Sequence, residues 1–217
     1  LALALVVYPT IDHSGWAPAR LDLTTLIPVV VGELAIGGVI GFIASLPFLG
    51  AQIGGLITTQ QMGMGLADVF NPAADASLDT IGQFLYFMAI TIFLTIGGME
   101  ALFGAVVNSL DAVALGGLAI ADAPIAMVVG LLDAAFSLAL RVAAPILCIL
   151  MLENMAVGFI MKTVPQLNVL SFGFPVKILG GLFIFIMSMN FIHEALQPDI
   201  QSAIGAAFQW VRSLAGA

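Results

Sequence analysis

A chain of 217 residues that is 61% hydrophobic and only 8% charged is not a soluble domain, which carries roughly 25% charged residues. Thirteen acidic against five basic residues leave a net charge of −8, which excludes the basic surface that nucleic acid requires. The length suits one membrane-embedded or membrane-assembled domain of about four to six apolar helices. The single cysteine, Cys148, rules out an internal disulfide and makes no metal site alone; in its apolar run it reads as a small buried hydrophobe.

The opening "LALALVVYP" reads as the tail of an apolar helix that begins earlier, and without a basic leader it is not a complete signal peptide, so truncation at the start is expected. Leu26 to Thr58 is nearly continuous apolar sequence with one charge, Glu33, and is too long for one crossing of a ~30 Å hydrocarbon core. Pro47 and the glycines at 50, 54 and 55 predict a break there. Residues 66–79, with Asn71-Pro72 and three aspartates, predict a wet loop. Gln83 to Val107 is the next crossing, interrupted by "TIGGME" at 95–100, and 108–124 is a second acidic connection. Ile125 to Val164 is again over-long and holds Asp133, Arg141, Pro145 and Glu153. Lys162 and Lys177 then bracket a loop with prolines at 165 and 175, Pro175 to Ile192 forms the last crossing, and the tail from His193 predicts an amphipathic helix.

Two of five cations at one loop place 162–177 on the cytoplasmic side, with 108–124 outside and 66–80 inside. Pro165 and Pro175 are expected to hold Val164 and Phe174 out of helical conformation, with Gly173 free to take positive φ. Small residues four apart, at Gly37/Gly41, Gly50/Gly54 and Gly130/Ala134, predict close helix packing. Arg141 is costly inside a membrane. Either it faces water or a partner carboxylate, with Glu153 and Glu33 as candidates, or the helix bends at Pro145 and Arg141 snorkels out.

Several catalytic patterns are absent. "HEALQ" at 193–197 starts like the zinc-protease helix, but the second imidazole is replaced by Gln197. Asp12-His13-Ser14 are adjacent and point apart, so they cannot relay a proton. No nucleophile elbow, phosphate loop or dinucleotide fingerprint occurs.

The run Pro165-Gln166-Leu167-Asn168-Val169, followed by Gly173-Phe174-Pro175 and Lys177-Ile178, resembles the hallmark of the FliR family of flagellar biosynthesis proteins and their injectisome counterparts SctT/YscT. Upstream, Glu33, the glycine-rich run after it, Gln60-Gln61-Met62-Gly63-Met64-Gly65 and Asn71-Pro72 are similar to the family too, so the resemblance covers nearly the whole chain. Members usually carry another apolar helix in front.

The resemblance implies an all-α fold of hydrophobic bent helical hairpins in a single membrane-associated domain, 1–217. Residues 1–123 would be a P-like half and 124–217 a Q-like hairpin half. It implies a non-enzymatic, cofactor-free subunit of the type III export gate at the flagellar basal body in the bacterial inner membrane. P-type and Q-type subunits would build a conduit with it, for partly unfolded exported proteins driven by proton-motive force and an ATPase. Such cones stand largely above the membrane plane, which would suit over-long apolar runs. Where members often carry an Asn-Gly-His-like plug turn, this chain has Phe93 to Met99, with Gly97 for the Asn, Gly98 matching and Met99 for the His. The loop residues Pro165, Gln166, Leu167, Asn168, Phe172, Gly173 and Pro175 are the candidate docking surface for an FlhB-like switch subunit; a plain turn is the alternative. Glu33, Arg141 and Glu153 are the candidate buried charges. The Gly173-to-Lys177 run leans towards a flagellar rather than an injectisome role. A secondary transporter or small-solute channel subunit is the rival reading, but it calls for internal symmetry between halves, and no repeat is visible.

Overall fold

The computed structural model describes residues 23–64, 79–112, 125–163 and 173–215. Every element among them is helical: α1 (Leu23–Gln61), α2 (Thr80–Thr95), α3 (Gly98–Ala112), α4 (Ile125–Thr163), α5 (Phe174–Met187) and α6 (Met189–Ala215). Leu26–Gln61 of α1 and all of α4 are long and apolar enough to cross a membrane, and there are up to four crossings if α2 with α3, and α5 with α6, each make one span. At 39 residues each, α1 and α4 are about 58 Å long, nearly twice the hydrocarbon thickness.

The predicted break in α1 does not occur. The helix runs through buried Pro47 without interruption, and the Ser45 hydroxyl donates to the Phe42 carbonyl (2.7 Å) in the turn that proline disturbs. α4 likewise continues through Pro145, and α6 through Pro198. In an apolar medium a broken helix would expose several unpaired peptide groups, whereas a proline removes only one donor, so the helix carries on. The breaks fall elsewhere. Ile96-Gly97 separates α2 from α3 as predicted, but Ser188 divides the expected last crossing into α5 and α6. α3 also extends to Ala112, into the segment read as an acidic connection. Phe174 is the first residue of α5, with Pro175 in the first turn where its missing N–H is harmless, and Gly173 has φ −66° rather than a positive value. The described glycines with positive φ are Gly63 and Gly97, both +79°. Cys148 is exposed on α4, not buried.

Contacts divide the chain into two compact units. One holds the described residues through Ser45, Ile96–Leu131 and the residues from Gln201 on; the other holds Leu46–Thr95 and Leu132–Ile200. In the first, Ile36, Ile40 and Ile43 of α1, Ala105 of α3 and Ala203, Ala207, Trp210 and Val211 of α6 make a buried cluster. The amphipathic tail predicted from sequence supplies half of it.

The second unit rests on backbone contact between helices. A Cβ added to Gly50 would stand 2.7 Å from the Ala135 carbonyl oxygen of α4, and one on Gly54 would stand 2.8 Å from that of Ala139. One on Gly55 would overlap the Cα of Gly82 in α2. Of the three small-residue pairs read from sequence, only Gly50/Gly54 is so used, since a Cβ on Gly37, Gly41 or Gly130 would meet nothing within 4 Å. The ends of α1 and α2 are tied by Asp79, whose carboxylate accepts from the Gly82 N–H (3.0 Å) as a helix N-cap and from the Thr59 hydroxyl (3.2 Å). Gly63 closes α1 with its positive φ, while Met64 N–H donates to Thr59 O and Met62 is fully buried against Gly181.

These contacts separate two glycine substitutions. Gly55→Ala should cost ~1–3 kcal/mol by overpacking against Gly82, whereas Gly37→Ala should be neutral or stabilising by up to ~1 kcal/mol through helix propensity. Thermal unfolding of both variants in the same detergent measures the difference.

Candidate functional site

The candidate plug segment is described residue by residue. Phe93 is buried near the end of α2, where its ring meets that of Phe48 edge-on at 5.4 Å, and Phe48 in turn meets Tyr86 at 6.2 Å. The helix is closed by the Thr95 hydroxyl donating to Ile92 O (2.8 Å). Gly97 takes φ +79°, a conformation that strains any residue with a Cβ, and its carbonyl accepts from Ala101 N–H as α3 begins. Gly98 is buried and Met99 is exposed. The interruption expected at 95–100 thus falls at Ile96-Gly97, where Gly97 takes the left-handed conformation.

The candidate charges separate into three environments. Glu33 is half-buried on α1. Arg141 meets neither Glu33 nor Glu153: its Nη2 donates to Oδ2 of Asp199 on α6 at 2.8 Å. Their side chains are 46% and 20% exposed, and the hydrogen bond between them is charge-assisted. Sequence reading missed Asp199 because it lies 58 residues away, directly after Pro198, in what looked like a wet tail. The available signal was that an embedded Arg demands an acid, and Asp133 on the same helix is exposed. Glu153 lies between α4 and α5, with both carboxylate oxygens buried and without a hydrogen-bond partner.

Of the candidate docking loop, Pro165, Gln166, Leu167, Asn168 and Phe172 lie outside the described residues, while Gly173 is buried and Pro175 exposed at the start of α5. Its roots carry Lys162, exposed in the last turn of α4, and Lys177, half-buried in the first turn of α5. His193 and Glu194 are both exposed on α6, and among the described residues no group of three or more His, Cys, Asp or Glu is placed to hold a metal.

The ion pair is open to a direct test. Arg141→Met or Asp199→Leu alone strands a charge and should lower stability, and the double variant should recover most of the loss, with a coupling of ~0.5–3 kcal/mol in a double-mutant cycle of thermal unfolding. Additive losses would mean that the two side chains do not act as a pair.

These geometries sit in a chain with clear relatives. It is 29% identical over 194 residues to the flagellar biosynthetic protein FliR of Bacillus subtilis, covering 88% of this chain and 73% of that one. It is 28% identical over 197 residues to the Yop proteins translocation protein T of Yersinia pestis, covering 89% and 75%. With the secretion system apparatus protein SsaT of Salmonella typhimurium the identity is 24% over 174 residues, covering 79% and 67%. The model of the family described as bacterial export proteins, family 1, matches residues 1–203. An all-helical, apolar chain matched over nearly its whole length in this way belongs to that family of bacterial export proteins.

Proposed function

We infer that this chain is a structural, non-enzymatic subunit of a type III protein export gate in the bacterial inner membrane. The observation that carries the reading is the family match over residues 1–203, with relatives named for flagellar biosynthesis and for secretion. The surface supports it. Large side chains such as Ile27, Leu34, Phe87, Phe103, Phe136, Phe159, Met187 and Phe191 are exposed along all six helices, more apolar surface than a soluble monomer presents. Such faces meet lipid or neighbouring subunits, and P-type, Q-type and FlhB-like export subunits are the neighbours the reading assigns, with unfolded exported proteins as cargo. Residues 1–123 are assigned as the P-like half and 124–217 as the Q-like half. Nothing in the chain favours the transporter or small-solute channel reading.

Within this reading Phe93, Gly97, Gly98 and Met99 form the plug of the conduit. What supports the assignment is local: Gly97 takes positive φ between buried Phe93 at the end of α2 and exposed Met99 at the start of α3. The loop between Lys162 and Lys177 is the cytoplasmic docking surface for the FlhB-like switch subunit, its two cations held at the headgroup level.

Expressed alone the chain should aggregate or be degraded, and with its P-type partner it should purify as a complex; a well-behaved monomer in mild detergent would count heavily against the assignment. In the assembled complex, deleting Gly97 and Gly98 should raise ion conductance and slow growth, and unchanged conductance with the complex intact would remove the plug assignment. Crosslinks placed at Leu167 in the same complex should reach the FlhB-like subunit; crosslinks confined to this chain would leave the loop a plain turn.

A further inference from the structure

Among the described residues, the buried side-chain polar atoms without a hydrogen-bond partner are both carboxylate oxygens of Glu153 and Nε1 of Trp210. An unsatisfied carboxylate in an apolar setting is far costlier than an unsatisfied indole N–H. Glu153 lies ten residues, about 15 Å of helix, before the end of α4 at Thr163. Its carboxylate rests on Gly180 of α5, where an added Cβ would stand 3.0 Å from Oε2. The absent side chain leaves room for the carboxylate but supplies no donor.

The same carboxylate borders an open groove of about 240 Å³, walled by Glu153, Asn154, Val157, Gly158, Phe174 and Lys177. Lys177 gives Glu153 no hydrogen bond. It sits in the first turn of α5, half-buried, beside the loop end that Lys162 also marks. On the two helices that wall the groove, Leu152, Phe159, Leu179 and Phe183 are 64%, 73%, 67% and 63% exposed, apolar side chains suited to another helix rather than to water.

We propose that this groove receives an arginine from an apolar membrane helix of a neighbouring subunit, its guanidinium bonding both oxygens of Glu153. Two orphaned oxygens on one carboxylate match the two parallel N–H donors of a guanidinium, which a single ammonium does not. Phe174 also lines the groove, and an aromatic ring is a partner on which a guanidinium can stack. The chain's charge of −8 makes a cation the complementary visitor, and the exposed apolar side chains of α4 and α5 suit the rest of the incoming helix. The inference rests on the reading of the chain as one subunit of a membrane assembly.

The test uses the full chain co-expressed with its P-type, Q-type and FlhB-like partners. Glu153→Leu removes an unsatisfied carboxylate and so does not burden this chain's own fold, yet it should lower the yield of intact complex roughly tenfold or more, the unassembled chain being lost to aggregation or degradation. Glu153→Lys should do the same, and changing one arginine within an apolar segment of a partner to Glu should restore it. Restoration of Glu153→Lys by Lys177→Glu would show that the mate is internal and overturn the proposal. A stable wild-type complex indifferent to Glu153→Leu would overturn it alone, whereas a wild-type chain that forms no complex overturns the export-gate reading with it.

Discussion

The tight approach of α1 to α2 and α4 is the constraint on which the second unit depends. At Gly50, Gly54 and Gly55 the facing elements are main-chain atoms of Ala135, Ala139 and Gly82, with no room for even a methyl group. Lipid offers no hydrophobic drive between helices, so affinity must come from many close van der Waals contacts, and only small residues allow backbones that near. Once α1 is seated, Thr59 lies within reach of Asp79, which caps α2, and Met62 drops onto Gly181 of α5. Several of the residues that mark the family resemblance are thus explained as the fittings of one helix seam: Met62 fills it, and Gly63 ends the helix so that the chain turns away.

The same environment dictates where the chain bends. Prolines at 47, 145 and 198 lie inside helices, while the interruptions fall at Ile96-Gly97 and Ser188. A proline forfeits one donor, which an otherwise continuous helix tolerates more easily than a break. Gly97 differs in kind, since a left-handed residue cannot belong to a right-handed helix at all.

The charges divide by whether the chain satisfies them itself. Arg141 and Asp199 close a pair between α4 and α6, and fix how those helices meet in that unit. Glu153 is left open beside a groove. Structural charge and recognition charge thus lie twelve residues apart on one helix, and residue type alone does not tell them apart.

Composition and pattern by themselves determined that the protein is helical, apolar and made for assembly. They also placed the break at Gly97, the amphipathic tail and the two lysine-marked loop roots. These follow from local rules: hydrophobic run length, the glycine requirement at positive φ, and a 3.6-residue period. Tertiary structure alone decided that Pro47 and Pro145 do not break their helices, that Gly50 and Gly54 pack closely while Gly37, Gly41 and Gly130 do not, and that Arg141 answers to Asp199. It also turned Cys148 outward and placed Gly173 in right-handed conformation. Each of these depends on which backbone lies opposite, across tens of residues of sequence, and a pattern read along one chain carries no information about what faces it.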